Sequence, residues 1–173
     1  SVTGRIIRTL ESSSFGSHVD SYSFIETAGT WSPNGQKLAL VIQTKGRNKL
    51  SIIDIATGNK DSFELKEVDS FTNPSWSPDG NTIIVSGLMN GESDLYLYNL
   101  KQKTVKNLTK DKFSDLQPTW SPDGEWIYFV SDRGSKKPRL ENANYGISRI
   151  NTESLSVENF DFFHPLRQSV RLV

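Results

Sequence analysis

Cysteine is absent from this 173-residue chain. Disulfides, thiol nucleophiles and zinc–cysteine centres are therefore excluded, and the redox compartment stays open. Histidine occurs only at His18 and His164. His18 falls in a polar, Ser-rich stretch and His164 stands beside Pro165. Neither has a nucleophile motif nearby, so both read as loop residues rather than members of a catalytic triad. His-Glu-x-x-His, Gly-x-Ser-x-Gly and a glycine-rich phosphate loop are all missing. The motif-borne routes to metal-assisted, acyl-transfer and nucleotide chemistry are closed, and no catalytic residue, metal or cofactor is expected.

Charge of one sign is lacking too. Twenty basic residues face 20 acidic ones, so no general pull toward nucleic acid or an anionic membrane is expected. No apolar run reaches the roughly 18 residues of a membrane-spanning helix. Ser1 to Leu10 carries no apolar signal-peptide core, so the chain is expected either to be cytosolic or to have lost a leader. Sustained apolar spacing at i, i+3, i+4 and i+7 is also missing, which predicts little helix.

What is present is a repeat. Trp31-Ser32-Pro33-Asn34-Gly35 recurs as Trp76-Ser77-Pro78-Asp79-Gly80 and as Trp120-Ser121-Pro122-Asp123-Gly124, at spacings of 45 and 44 residues. A period of ~40–45 residues matches one four-stranded propeller blade. Within each copy, Pro33, Pro78 and Pro122 pre-set φ for a type I turn. Gly35, Gly80 and Gly124 supply the left-handed residue that closes a bulged hairpin. The preceding serine can bond the turn backbone. Trp31, Trp76 and Trp120 read as packing residues where adjacent blades meet.

Around these turns lie short runs rich in β-branched residues, separated by turn signals. The reading predicts an all-β fold: a partial β-propeller of about three to four four-stranded antiparallel blades. Residues 1–27 would hold the end strand of a preceding blade, at Ile6 to Leu10, and a connecting loop. Blades would follow at 28–71, 72–116 and 117–160, the last with an inserted hairpin, and 161–173 would be a tail or the start of a further strand. Runs such as Leu38 to Ile42 suggest strands buried on both faces. Propellers close with four or more blades. Three repeats therefore predict a fragment of a longer protein, a small four-bladed ring in which Ile6 to Leu10 and the tail pool strands into one blade, or self-association through exposed blade faces.

Asn73-Pro74-Ser75-Trp76-Ser77-Pro78-Asp79-Gly80, with Asp94 to Tyr98, resembles the TolB-type bacterial propeller repeats, loosely related to WD-type propellers. Leu108-Thr109 and Asp115-Leu116-Gln117-Pro118-Thr119-Trp120 match the inter-blade part of that pattern. Similar blades occur in propeller domains of prolyl-oligopeptidase-like enzymes. The resemblance covers roughly residues 28 to 160. In that family a six-bladed ring follows an α/β domain and binds a peptidoglycan-associated lipoprotein in the periplasm. The resemblance thus implies a non-catalytic protein-interaction scaffold and an exported, multidomain parent. Two other readings stay open: an accessory propeller of a hydrolase whose catalytic part lies elsewhere, and a carbohydrate or small-ligand module.

Site candidates are few. Lys136, Lys137 and Arg139, with Glu141, form a basic stretch within the insertion at 132–145, the best candidate for contacting an acidic protein partner. The other loops expected to carry specificity are Lys45 to Asn48, Met89 to Glu92 and Lys110 to Leu116. Asp111 and Asp115, and Glu92 and Asp94, bracket loops but lack the alternating acids of a calcium loop. Asp115 reads as bonding turn backbone. Asn107-Leu108-Thr109 is a formal glycosylation acceptor expected within a strand.

Overall fold

A computed structural model describes residues 21–22, 29–135 and 144–160. The expected strand at Ile6 to Leu10, both histidines, the tail and the basic stretch Lys136, Lys137, Arg139 and Glu141 lie outside the described residues. No helix occurs among those described, and the chain folds into three antiparallel sheets.

The first sheet is built on β3 (Lys37–Thr44), β4 (Arg47–Asp54) and β5 (Lys60–Phe63). Its inner position is shared by β1 (Ser21–Tyr22) and β2 (Thr30–Trp31), both paired with β3. The second contains β6 (Ser70–Trp76), β7 (Thr82–Met89), β8 (Glu92–Asn99) and β9 (Thr104–Asn107), in that order. The third contains β10 (Asp115–Trp120), β11 (Trp126–Ser131), β12 (Gly146–Asn151) and β13 (Val157–Phe160). These are propeller blades, each strand reversing on the one before it.

The turn chemistry explains the hairpins. Gly80 and Gly124 hold φ of 75° and 76°, where a Cβ would be strained. Ser77 Oγ donates to Asp79 Oδ1 at 2.5 Å and accepts the Thr82 N–H at 3.0 Å. Ser121 repeats both bonds with Asp123 and the Trp126 N–H. The hydroxyl thus clamps the turn's side chain to the start of the next strand. These bonds hold the Asp79 and Asp123 carboxyls below the usual carboxylate range, the serine hydroxyl being the largest cause. In the first copy the same seat is filled by an amide, Ser32 Oγ lying 2.8 Å from Asn34 Oδ1.

A second turn type closes the strand 2–3 hairpins. Lys45-Gly46 and Asn90-Gly91 each place two successive residues at positive φ, the two-residue pattern that follows strand twist. The turns after β4, β8 and β12 are held by Asp54, Asn99 and Asn151, whose side-chain oxygens accept N–H groups two or three residues on.

Antiparallel order places these turns on two rims. The tryptophan hairpins and the turns after β4, β8 and β12 share one rim. The Lys45-Gly46 and Asn90-Gly91 turns share the other with the connections between blades. Alternate side chains along each middle strand point to opposite neighbours. Ala39 and Val41 pack on Ile83 and Val85 between the first two blades. Ile84 and Leu95 pack on Ile127 and Phe129 between the second and third. Each blade is therefore apolar on two faces, as the runs at Leu38 to Ile42 and Ile83 to Val85 anticipate.

Candidate functional site

The blades join in a repeated way. The Trp76 N–H donates to Thr30 Oγ1 at 3.2 Å, and the Trp120 N–H to Ser75 Oγ at 3.4 Å. The residue before one tryptophan thus receives the next. The Gln117 N–H reaches Ser86 Oγ at 2.7 Å, and Asn48 Nδ2 reaches the Phe71 carbonyl at 2.9 Å. The hairpins also stack: a Cβ on Gly80 would sit 3.9 Å from Pro33, and one on Gly124 would sit 3.9 Å from Pro78.

The predicted motif residues lie along this seam. Trp76 is buried and belongs to the cluster between blades one and two. Trp120 is half-buried against the cluster between blades two and three, and its indole N–H donates to the Ser75 carbonyl of blade two. Trp31 departs from the expectation of an inter-blade packing residue, for it is 55 % exposed. The reason is direction: each tryptophan leans on the blade before its own, and Trp31 heads the first described blade. Pro33 and Pro122 are exposed, Pro78 half-buried, Gly35 exposed, and Gly80 and Gly124 half-buried.

Two surface features could meet a partner. The innermost strands leave a cleft of ≈ 280 Å³, lined by Thr30, Asn73, Pro74, Ser75, Gln117, Pro118 and Thr119 among others. Its walls are neutral. Asn73 and Gln117, each before a proline, hold φ of 51° at β-bulges, which turns the strand between blade joint and cleft. On the other rim, Thr44, Lys45, Arg47, Lys49 and Glu64 surround a second cleft of ≈ 410 Å³. Lys49 pairs with Glu64 at 3.0 Å, which holds the Glu64 carboxyl below its ordinary range. Lys45 and Arg47 are exposed, so three cations stand around one carboxylate. Sequence reasoning marked the Lys45 to Asn48 turn as a loop but missed this cleft. Its cations alternate along the chain and meet Glu64 only once β4 and β5 pair.

The rim between blades two and three carries an ion network that sequence reasoning read differently. Asp115 does not bond turn backbone. Its Oδ1 accepts the Ser131 hydroxyl at 2.6 Å and its Oδ2 accepts Arg133 Nη2 at 2.6 Å. Asp111 takes Nη1 of the same guanidinium at 2.6 Å. Asp115 is fully buried, and Arg133 lies against the Phe113 and Phe129 rings, 4.9 and 5.8 Å from their centroids. Burial raises the Asp115 carboxyl, opposed by the Ser131 hydroxyl and the Arg133 charge. Beside it the Ser114 N–H donates to Asp132 Oδ1. Asn107 of the formal acceptor sequence is committed within the fold: its Nδ2 donates to Asp94 and its Oδ1 accepts the Thr109 N–H. Among the described residues no three His, Asp or Glu side chains are grouped to hold a metal ion.

Comparison with known proteins agrees with this geometry. The family profile described as TolB beta propeller domain matches residues 17–160. The Tol-Pal system protein TolB of Ruthia magnifica is 30 % identical over 82 residues, covering 47 % of this chain and 19 % of that protein. The TolB homolog of Chlorobaculum tepidum is 35 % identical over 79 residues, covering 46 % and 18 % respectively. The crystal structure of TolB from Acinetobacter baumannii superposes with a TM-score of 0.64 at 26 % identity, over 79 % of this chain and 32 % of that one. The chain thus spans a third or less of these relatives. With a match over most of its length and the Trp-Ser-Pro hairpins stacked as described, it belongs to the TolB β-propeller domain family.

Proposed function

We propose that this chain is a non-catalytic protein-interaction segment of a larger, exported propeller protein, and that it meets an acidic partner on the rim of the strand 2–3 turns. The observation that carries the reading is the cleft of Lys45, Arg47 and Lys49, with Glu64 as its one carboxylate. An excess of cations in a chain of zero net charge marks that place for an anionic surface. The basic stretch Lys136, Lys137 and Arg139, with Glu141, follows a strand that ends on the same rim and would extend the contact. Export is supported by kinship with TolB proteins, and protein binding by the name of the Tol-Pal system protein among them.

The test uses a fluorescent peptide rich in Glu and Asp, followed by polarisation. The intact chain binds it, and binding weakens with salt because screening shortens the reach of exposed charges. K45E/R47E reduces affinity at least tenfold, while S154A on the opposite rim leaves it unchanged. Equal binding by K45E/R47E and the parent chain would refute the reading.

A further inference from the structure

The outer edge of the second blade carries a strip of charge that neither sister blade shares. Between residues 101 and 112 the chain has five lysines, no arginine, no aromatic ring and one acid, Asp111. Asp111 is taken by Arg133. Lys101, Lys103, Lys106, Lys110 and Lys112 are all exposed, with blades one and three both in place. None of the five forms an ion pair among the described residues. β9, the outermost strand of its sheet, carries Lys106. Lys101 and Lys103 lie in the turn before it, on the tryptophan-hairpin rim, and Lys110 and Lys112 in the connection after it, on the other rim. The lysines thus follow the blade's outer edge from rim to rim. The acids on the neighbouring β8 are Glu92, at the strand's start, and Asp94, which is buried.

The fold does not require these charges. The turns after β4, β8 and β12 are built alike: Gly58, Lys103 and Leu155 each hold positive φ and donate their N–H to the carbonyl four residues before. Strand register continues the match, so Lys106 stands where blade one has Asp61 and blade three has Glu158. At the places of Lys101 and Lys103, blade one has Ala56 and Gly58, and blade three has Glu153 and Leu155. The same three positions therefore sum to +3 in blade two, −1 in blade one and −2 in blade three.

We infer that the outer edge of blade two is a contact for an anionic bilayer surface. A plane of lipid headgroups is met by exposed single charges set in a line. Each lysine within a Debye length of that plane strengthens binding about fivefold. A nucleic-acid strand would also be held by stacked aromatic rings and arginine planes, and the strip has neither. The inference goes beyond the acidic-partner reading, since no lysine of the strip lines the basic cleft.

Co-sedimentation of the full chain with vesicles tests it. The parent chain is expected to bind vesicles of phosphatidylcholine carrying about one-third phosphatidylglycerol, and not vesicles of phosphatidylcholine alone. Salt at about 0.5 M releases it. K101A/K103G/K106D copies the residues of blade one, keeps the sheets by circular dichroism, and lowers vesicle affinity about thirtyfold or more. K101R/K103R/K106R keeps the charge and keeps the binding. K45E/R47E changes vesicle affinity by less than about threefold. It is matched in net charge: three cations lost and one acid gained in K101A/K103G/K106D, two cations turned into acids in K45E/R47E, each a fall of four. Only the location of the lost charge then separates the two. Equal binding to neutral vesicles, a K101A/K103G/K106D chain that binds like the parent, or an equal loss in K45E/R47E would overturn the proposal. Binding of dextran sulfate or single-stranded DNA without binding of vesicles would overturn it too, and would assign the strip to a soluble polyanion.

Discussion

Trp120 donates its indole N–H to the backbone carbonyl of Ser75, 3.2 Å away and 45 residues earlier in the chain. Its backbone N–H reaches the hydroxyl of that same residue. One serine therefore holds the head of the following blade at two points. Trp76 makes the corresponding backbone bond to Thr30, but its indole nitrogen is buried without a hydrogen-bond partner in the protein. The two seams are related in design and unequal in polar satisfaction.

The three tryptophans should consequently differ in their contributions. Trp76→Ala removes a buried ring from the largest apolar cluster and should cost about 3–5 kcal/mol. Trp76→Phe should cost less than a usual Trp replacement, because it also removes an unsatisfied donor. Trp31→Ala, at a ring 55 % exposed, should change stability by less than about 1 kcal/mol. Urea unfolding followed by circular dichroism, at a concentration where the chain is monomeric, measures all three. A Trp31→Ala loss as large as that of Trp76→Ala would contradict the direction of leaning described above.

Blade two solves with hydrocarbon what blade three solves with charge. Phe71 pairs with Gly87 in the second sheet as Asp115 pairs with Ser131 in the third. Met89 and Arg133 each stand thirteen residues after their tryptophan. Asp115→Asn should cost about 3–5 kcal/mol, because it leaves the Arg133 guanidinium buried with weakened compensation. The triple variant D115F/S131G/R133M, which copies the second blade, should recover at least half of that loss. Thermal unfolding of the single and triple variants decides the matter. A triple variant no better than D115N would show that the two solutions are not interchangeable.

The turn aspartates predict an acid dependence. The folded-state values of Asp79 and Asp123 are lowered by the Ser77 and Ser121 hydroxyls. Their stabilisation is thus fully present above the unfolded carboxylate value of about 4 and is lost as pH falls through the lower folded values. D79N/D123N copies the amide already found at Asn34 and should fold normally. It should be less stable than the parent at pH 7, and the gap should close by about pH 2–3. Unfolding midpoints across that range provide the check, a gap independent of pH being the contrary result.

The bulge residue Gln117 offers a gain. It holds φ of 51° in front of a proline, a conformation costly for any residue with a Cβ. Gln117→Gly removes that strain at some cost in unfolded-state entropy and should stabilise by about 0.5–1 kcal/mol. The bond from its N–H to Ser86 is backbone-borne and survives the change. Denaturant midpoints measure the shift, and a decrease would mean that the side chain contributes more than its backbone costs.

Much of this architecture was legible in the sequence because it rests on local chemistry at a fixed period. The Pro-Asp-Gly turns, the apolar runs and the 44–45 residue spacing each impose their structure within a few residues. The candidate sites were far less legible. Asp115, Ser131 and Arg133 meet only after β10 and β11 pair, and nothing in Asp115's neighbours along the chain announces a buried guanidinium partner. Lys49 and Glu64 come together in the same way, through the pairing of β4 with β5. The exposure of Trp31 was hidden for a different reason. Three near-identical pentapeptides look equivalent at their tryptophans, and only the direction in which each ring leans separates the exposure of the first from that of the others.

The seam at Thr30, Ser75 and Thr119 carries a consequence for how such chains can change. Because every unit offers the same hydroxyl socket and the same tryptophan plug, the portable module runs from one tryptophan to the next rather than from sheet to sheet. Whole modules can then be duplicated, lost or exchanged while every remaining coupling stays intact. Within a module the strand 2–3 connection differs in length: two residues at Lys45-Gly46 and at Asn90-Gly91, but the whole span from Ser131 to Gly146 between β11 and β12.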